Sequence, residues 1–166
     1  MHLIFLSKKI PSKLQLLLVG DGSMKPFLLE LIHALSLEHV INVISAVNND
    51  DVPALLNHAS IFVLPSLKEG MPRALLETMA CGTAVIGSNV SGIKDIIRHE
   101  QTGILVPPKD PVALSDAILK LLKDENLRRF LGKNAREEMV TKYNWATITD
   151  KLDKVYYEAV ARAKSS

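Results

Sequence analysis

The sequence predicts an α/β fold, a Rossmann-like doubly wound parallel sheet. Three observations predict it. Short apolar runs rich in Val, Ile, Leu and Phe alternate with longer segments whose apolar residues recur at helical spacing. Gly, Pro, Ser and Asn bound the runs, as they bound strands. The gaps between runs leave room for a helix each, so neighbouring strands are joined by crossovers and run parallel.

Each element has its own signal. Leu14 to Val19 is the first clear strand, closed by Gly20-Asp21-Gly22. The helix after it covers about Lys25 to Leu37, with Phe27, Leu28, Leu31, Ile32 and Leu35 on one stripe. Val40 to Ser45 is the second strand, and Asn49 to Asp51 offer caps for a short helix over Pro53 to His58. Ile61 to Leu64 is the third strand, ended by Pro65. The helix from Arg73 to Cys81 stops at Gly82, the residue a left-handed cap favours. Thr83 to Gly87 is the fourth strand, Gly92 to Arg98 a further helix, and Gly103 to Val106 the fifth strand, stopped by Pro107-Pro108. Asp110 then Pro111 opens a helix in the favoured cap-then-proline order, running to about Lys123. Asn126 to Ala163 reads as helical, with Trp145 opening the last helix. Residues 1–166 form one domain in this reading, with 126–166 as a C-terminal helical extension.

Composition narrows the function classes. The chain has 166 residues, 48% hydrophobic and 23% charged, enough for one globular domain with a full core. Its formal charge of +2 leaves no footprint for a polyanion, so nucleic acid is not implied. Cys81 is the single cysteine, which excludes an internal disulfide and points to a reducing compartment, the cytoplasm. The five histidines lack metal-ligand spacing, so no metal and no cofactor is expected. The longest apolar runs fall far short of the roughly 20 residues needed to span a bilayer.

In an open sheet of this type, ligands bind beyond the carboxyl ends of the strands, where loops enter helices. The candidate loops are Gly20 to Met24, Ala46 to Asp51, Pro65 to Pro72, Ser88 to Gly92 and Pro107 to Asp110. The most informative is Pro65 to Pro72, which places Glu69 on the loop and Glu77 in the helix that follows. Gly70 lets a ligand approach the backbone closely, and the first-turn amides of the helix attract an anion such as a diphosphate. Carboxylates beside it accept hydrogen bonds from sugar or ribose hydroxyls. On the residues alone, a loop glutamate that merely complements the helix dipole explains Glu69 equally well.

From about Leu14 to Trp145 the chain resembles the C-terminal, nucleotide-sugar-binding domain of retaining glycosyltransferases of the GT-B architecture, the group 1 family typified by glycogen synthases and mannosyltransferases. The resemblance rests on Val19-Gly20-Asp21-Gly22, Phe62-Val63-Leu64-Pro65-Ser66, Glu69-Gly70-x-Pro72, Leu76-Glu77-x-Met79-Ala80-x-Gly82, Ser91-Gly92-x-x-Asp95-Ile96-Ile97 and Gly103-x-Leu105-Val106. It implies a UDP-, GDP- or ADP-hexose as donor and transfer with retention. It implies Glu69 as the catalytic residue, contacting the sugar, and Gly70, Met71 and Pro72 around the sugar and diphosphate. Glu77 is implied at the ribose and Val47 beside the base.

Members of that family begin the domain with another strand, whose following loop supplies an Arg and a Lys to the diphosphate. Here His2 to Lys9 reads as the helix after that loop. The expectation is therefore a fragment lacking its first strand, an unpaired sheet edge open to self-association, and donor binding weakened by the lost cations. The expected partners are the nucleotide sugar and an absent N-terminal acceptor domain, and the isolated chain is expected to be inactive. The basic last helices allow a peripheral membrane association of the parent, although a solvated helical face explains them as well. Ser66 reads as a loop or capping residue, since no Gly-x-Ser-x-Gly elbow surrounds it. Arg73 reads as solvent-facing, Met79 and Cys81 as core, and Trp145 as part of an exposed apolar face. A non-catalytic binding domain and a nucleotide-sugar epimerase of the same architecture are the competing functions, the second needing catalytic groups outside this pattern.

Overall fold

Residues 3–7, 14–45, 47, 48 and 50–164 are described in the computed structural model. Their strands form one six-stranded sheet in the order β3-β2-β1-β4-β5-β6. The strands are β1 (Leu3–Ser7), β2 (Gln15–Val19), β3 (Ile41–Ile44), β4 (Ile61–Leu64), β5 (Ala84–Ser88) and β6 (Ile104–Val106). The helices are α1 (Lys25–Ala34), α2 (Val52–His58), α3 (Arg73–Cys81), α4 (Pro111–Lys123), α5 (Glu125–Lys142) and α6 (Trp145–Lys164). β2 pairs in parallel with β3, β4 with β5, and β5 with β6. This is the doubly wound order, in which the chain works outward from the middle and then returns to build the other half.

β1 overturns one expectation. Leu3–Ser7 is a strand, antiparallel to both β2 and β4, with Leu3 opposite Val19 and Ile4 opposite Val63. The helix expected over His2 to Lys9 is therefore not formed there; His2, Lys8 and Lys9 themselves lie outside the described residues. Four consecutive apolar residues, one β-branched and one aromatic, suit a strand hydrogen-bonded on both sides better than one helical face. The slot of a parallel first strand is thus filled by a strand running the other way. Among the described residues that slot leaves no unpaired edge, and the sheet ends at β3 and β6.

β4 organises the core. Ile61, Phe62, Val63 and Leu64 are all fully buried. Phe62 and Leu64 join Leu56, Leu75, Met79, Ile93 and Met139 on one face, while Ile61 and Val63 join Ile86, Leu121 and Leu131 on the other. Each such side chain contributes about 1.5–3 kcal/mol by burial. α1 is more exposed than its stripe suggests: Ile32 is buried, but Phe27, Leu31 and Leu35 are not.

The helix ends follow local chemistry. Gly82 takes the left-handed conformation (φ 75°) and closes α3, as expected. Asp110 and Asp124 accept from the amides of Ala113 and Leu127 and so cap α4 and α5. Asp51 stands at the start of α2 but makes no side-chain cap bond, and Asn49 lies outside the described residues. The helical C-terminal region breaks at Tyr143-Asn144, where the Asn144 carboxamide accepts from the Thr147 amide at 2.8 Å and opens α6. Trp145 is 83% exposed at that turn. No helix among the described residues is long and apolar enough to cross a membrane.

Residues 91–96 form successive turns where a helix was expected. Gly92 has φ +83°, which no continuing helix accommodates. Further on, Arg98 donates through Nε to the buried Glu138 carboxylate at 2.7 Å, and Lys142 donates to its other oxygen at 2.7 Å, tying this segment to α5. α5 crosses the end of α3 at Gly132, where a Cβ would lie 2.0 Å from the Gly82 carbonyl oxygen. Gly132→Ala is expected to cost about 1–3 kcal/mol in urea unfolding through overpacking, whereas the exposed Lys133→Ala changes stability by about 0.5 kcal/mol or less. Equal midpoints for the two variants would contradict the close crossing.

Candidate functional site

β1 is antiparallel to β2 and to β4, so the other five strands share one direction and deliver their following loops to one sheet edge. The registers align the strand ends, with Val19 opposite Ile44, Leu64 opposite Gly87, and Ser88 opposite Val106. At this edge the chain leaves β4 through Pro65 and re-enters regular structure at Arg73.

Glu69 is half-buried on the intervening loop. The Ser66 hydroxyl donates to its Oε1 at 2.6 Å, holding one carboxylate oxygen. Ser66 is the loop residue that its reading expected, and its hydroxyl orders the Glu69 side chain. The signal was present: Ser66-x-x-Glu69 has the spacing of a capping box, here serving a loop.

Gly70 and Met71 are exposed beyond Glu69, and Pro72 is buried. A Cβ on Gly70 would meet nothing beyond its chain neighbours within 4 Å, so no packing contact demands glycine there. Pro72 is the extended residue before α3, and no side chain caps that helix. Its carbonyl accepts from the amides of Leu75 and Leu76. The amides of Gly70, Met71, Arg73 and Ala74 have no acceptor among the described residues.

Glu77 lies on the exposed face of α3, one turn after Arg73. The Arg73 guanidinium is 3.6 Å from its Oε1 and largely in solvent, a contact worth little in water. Met71, Arg73 and Glu77 line a wide, mostly apolar groove of about 920 Å³ between α3 and the α5–α6 junction, with Tyr143 and Trp145 opposite. Val47 stands apart. It lines a separate concavity of about 330 Å³ with Ile44, Asp51 and Leu55, so the two concavities do not bring it together with Glu77. Cys81 is partly buried at the end of α3, and burial pushes its thiol above the usual range.

Two neighbouring loops complete the edge. The turn at Gly92 lies directly against the main chain of Glu69 and Gly70. Beyond β2, Lys25 donates to Asp21 at 2.7 Å and to Ser45 at 2.9 Å, which ties the Gly20–Gly22 turn to the end of β3. His58 and His99 make bonds to main-chain groups, and His33 pairs with Glu38. No group of three His, Cys, Asp or Glu residues among the described ones could hold a metal ion.

Comparison with known proteins agrees with this arrangement. Residues 2–138 match the family described as glycosyl transferases group 1. The chain is 36% identical over 151 residues to N-acetyl-alpha-D-glucosaminyl L-malate synthase of Bacillus anthracis, covering 91% of this chain and 39% of that protein. It is 34% identical over 142 residues to an uncharacterized glycosyltransferase of Methanocaldococcus jannaschii, covering 86% of this chain and 36% of that protein. Among solved structures, sucrose-phosphate synthase from Thermosynechococcus elongatus superposes with a TM-score of 0.77 at 31% identity, over 88% of this chain and 38% of that one. Anabaena HepE, solved in complex with UDP, superposes with a TM-score of 0.77 at 22% identity, over 86% of this chain and 40% of that one, a likeness of fold. The chain thus spans less than half the length of each of these proteins. With its sheet order and its loop from Glu69 to Glu77, it belongs to the group 1 glycosyltransferases and has the fold of the C-terminal half of their GT-B architecture.

Proposed function

We propose that the chain is the donor-binding part of a hexosyl-transferring enzyme that takes its sugar from a nucleoside diphosphate with retention of configuration. One observation carries the reading: between the carboxylates of Glu69 and Glu77 lie four amides without an acceptor among the described residues. Free amides at a helix N-terminus favour an anion, and fixed carboxylates favour the hydroxyl groups that donate to them. A diphosphate joined to a sugar on one side and a ribose on the other presents groups in that order. HepE, in complexes with UDP and with UDP-glucose, supports a donor of this kind.

In this reading Glu69 accepts from donor-sugar hydroxyls through the oxygen that Ser66 leaves free. Gly70, Met71 and Pro72 line the sugar and diphosphate, Glu77 accepts from the ribose, and Val47 lies beside the base. In transfer, the acceptor oxygen bonds to the anomeric carbon as the bond to the diphosphate oxygen breaks. Retention follows when the acceptor arrives on the face the diphosphate leaves and the leaving oxygen takes its proton. Glu69 then positions the ring and forms no covalent bond. Since the chain spans 36% and 39% of the two relatives, transfer belongs to the whole protein, and the chain alone binds donor without turnover. The cytoplasmic location suggested by a lone cysteine goes with this reading.

Calorimetric titration with UDP, GDP and ADP and their hexose conjugates tests it. One nucleotide is expected to bind, with Glu77→Ala weakening it roughly tenfold or more. Glu69→Ala is expected to remove only the increment that the hexose adds. Undiminished binding by Glu77→Ala would contradict the assignment. Gly70→Ala separates ligand from fold: its stability is expected to stay unchanged, since the new Cβ meets nothing beyond its chain neighbours within 4 Å, while its affinity for the donor falls. Unchanged affinity would place the ligand elsewhere.

A further inference from the structure

We infer that Gly92 is a positioning residue that aims the main-chain amides of Gly70 and Met71, and that Asp95 holds Gly92 in place to do so. The inference rests on the donor reading and adds to it the residue that orients the diphosphate-binding backbone.

A Cβ built on Gly92 would lie 2.3 Å from the Gly70 carbonyl oxygen, 2.6 Å from the Glu69 carbonyl oxygen and 2.9 Å from the Glu69 carbonyl carbon. The Gly70 carbonyl oxygen and the Glu69 carbonyl group, the latter side-on, therefore pack directly against the position a Gly92 side chain would take. The peptide units that pack against Gly92 carry the amides of Gly70 and Met71, and each planar unit turns as one body, so the contact with Gly92 sets how both N–H groups are oriented. They are two of the four amides without an acceptor among the described residues. A side chain at position 92 would push these carbonyls aside and rotate the amides with them.

The turn is placed firmly enough to act as a brace. Ile93 and Ile97 are buried, and both fit against Gly87, where a Cβ would lie 2.5 Å from Ile93 Cγ2 and 3.0 Å from Ile97 Cδ1. The Gly92 amide donates to Asp95 Oδ2 at 2.9 Å, which fixes the peptide leading into the left-handed residue. Glu69 is therefore held twice, at its carboxylate by Ser66 and at its main chain by the Gly92 turn.

Two measurements on Gly92→Ala, Asp95→Ala and a distant destabilising control, Leu121→Ala in α4, test this. The first is the set of backbone N–H residual dipolar couplings of Gly70 and Met71, which report orientation without any ligand. The second is the ratio of affinities for the bound nucleoside diphosphate and its monophosphate. Gly92→Ala is expected to change both couplings and to reduce the second phosphate's gain by roughly tenfold, the value of a lost hydrogen bond to a charged group. Monophosphate affinity should stay as it was. Asp95→Ala adds no atom and is expected to change both readouts in the same direction by less, which keeps the test open if Gly92→Ala does not fold. Leu121→Ala is expected to lose stability and keep both readouts. Unchanged couplings in Gly92→Ala and Asp95→Ala would overturn the brace, and altered couplings with an intact diphosphate gain would overturn its role in binding. If the unmodified chain binds no nucleotide, the donor reading fails, while the couplings still decide whether Gly92 orients the loop.

Discussion

The complete burial of β4 is the constraint on which the rest of this structure depends. A strand without exposed residues on either face must be covered by helices on both sides and flanked by paired neighbours. β1 and β5 supply the pairing, and α2 and α3 on one face, α4 on the other and α5 on both supply the cover. Polar groups cannot be carried on such a strand. They gather where it ends, and the loop from Pro65 to Pro72 takes Ser66 and Glu69 out of the core within a few residues. The helix that returns across the sheet then brings its uncapped N-terminus to the same edge. Core and candidate site are thus two consequences of one buried strand.

Close approach of main chains is the second theme. Gly132 lets α5 touch the end of α3, Gly87 receives Ile93 and Ile97, and Gly92 lies against the Glu69–Gly70 backbone. Protein interiors are packed densely enough that a single added methyl at such a point must displace its neighbours. These contacts therefore convert the stability of the sheet into a fixed geometry at its edge. Gly70 is different: a Cβ there would meet nothing beyond its chain neighbours within 4 Å, so the packing of the fold does not account for it.

Much of this was legible from residues alone, where the deciding interaction is local. Gly82 after Cys81 and Asp110 before Pro111 act within a few residues of themselves, and the structure places both as caps. The apolar runs became strands because four to six such residues have few other ways to be buried. What escaped depends on distant partners. Leu3 to Leu6 form a strand because β2 and β4 stand ready on either side, a circumstance that ten residues do not reveal. Gly92 to Arg98 carries a helical pattern, yet crowding by Glu69 and Gly70 favours a turn with Gly92 left-handed. Ser66 could be read as a cap, and only the loop's folded path brings its hydroxyl to Glu69. Val47 remains the site assignment that the fold brings least into line, since it faces a different concavity from Glu77.

The measurement that tests the account most directly is an amide-resolved nuclear magnetic resonance titration of the chain with UDP, GDP and ADP hexoses. The donor reading expects one of them to move the amide resonances of Gly70, Met71, Arg73, Ala74 and Gly92 most, with smaller changes around Glu77. Largest changes on α1 or around β6 and α4, or no change at any amide with millimolar ligand, would contradict a donor site at the end of β4.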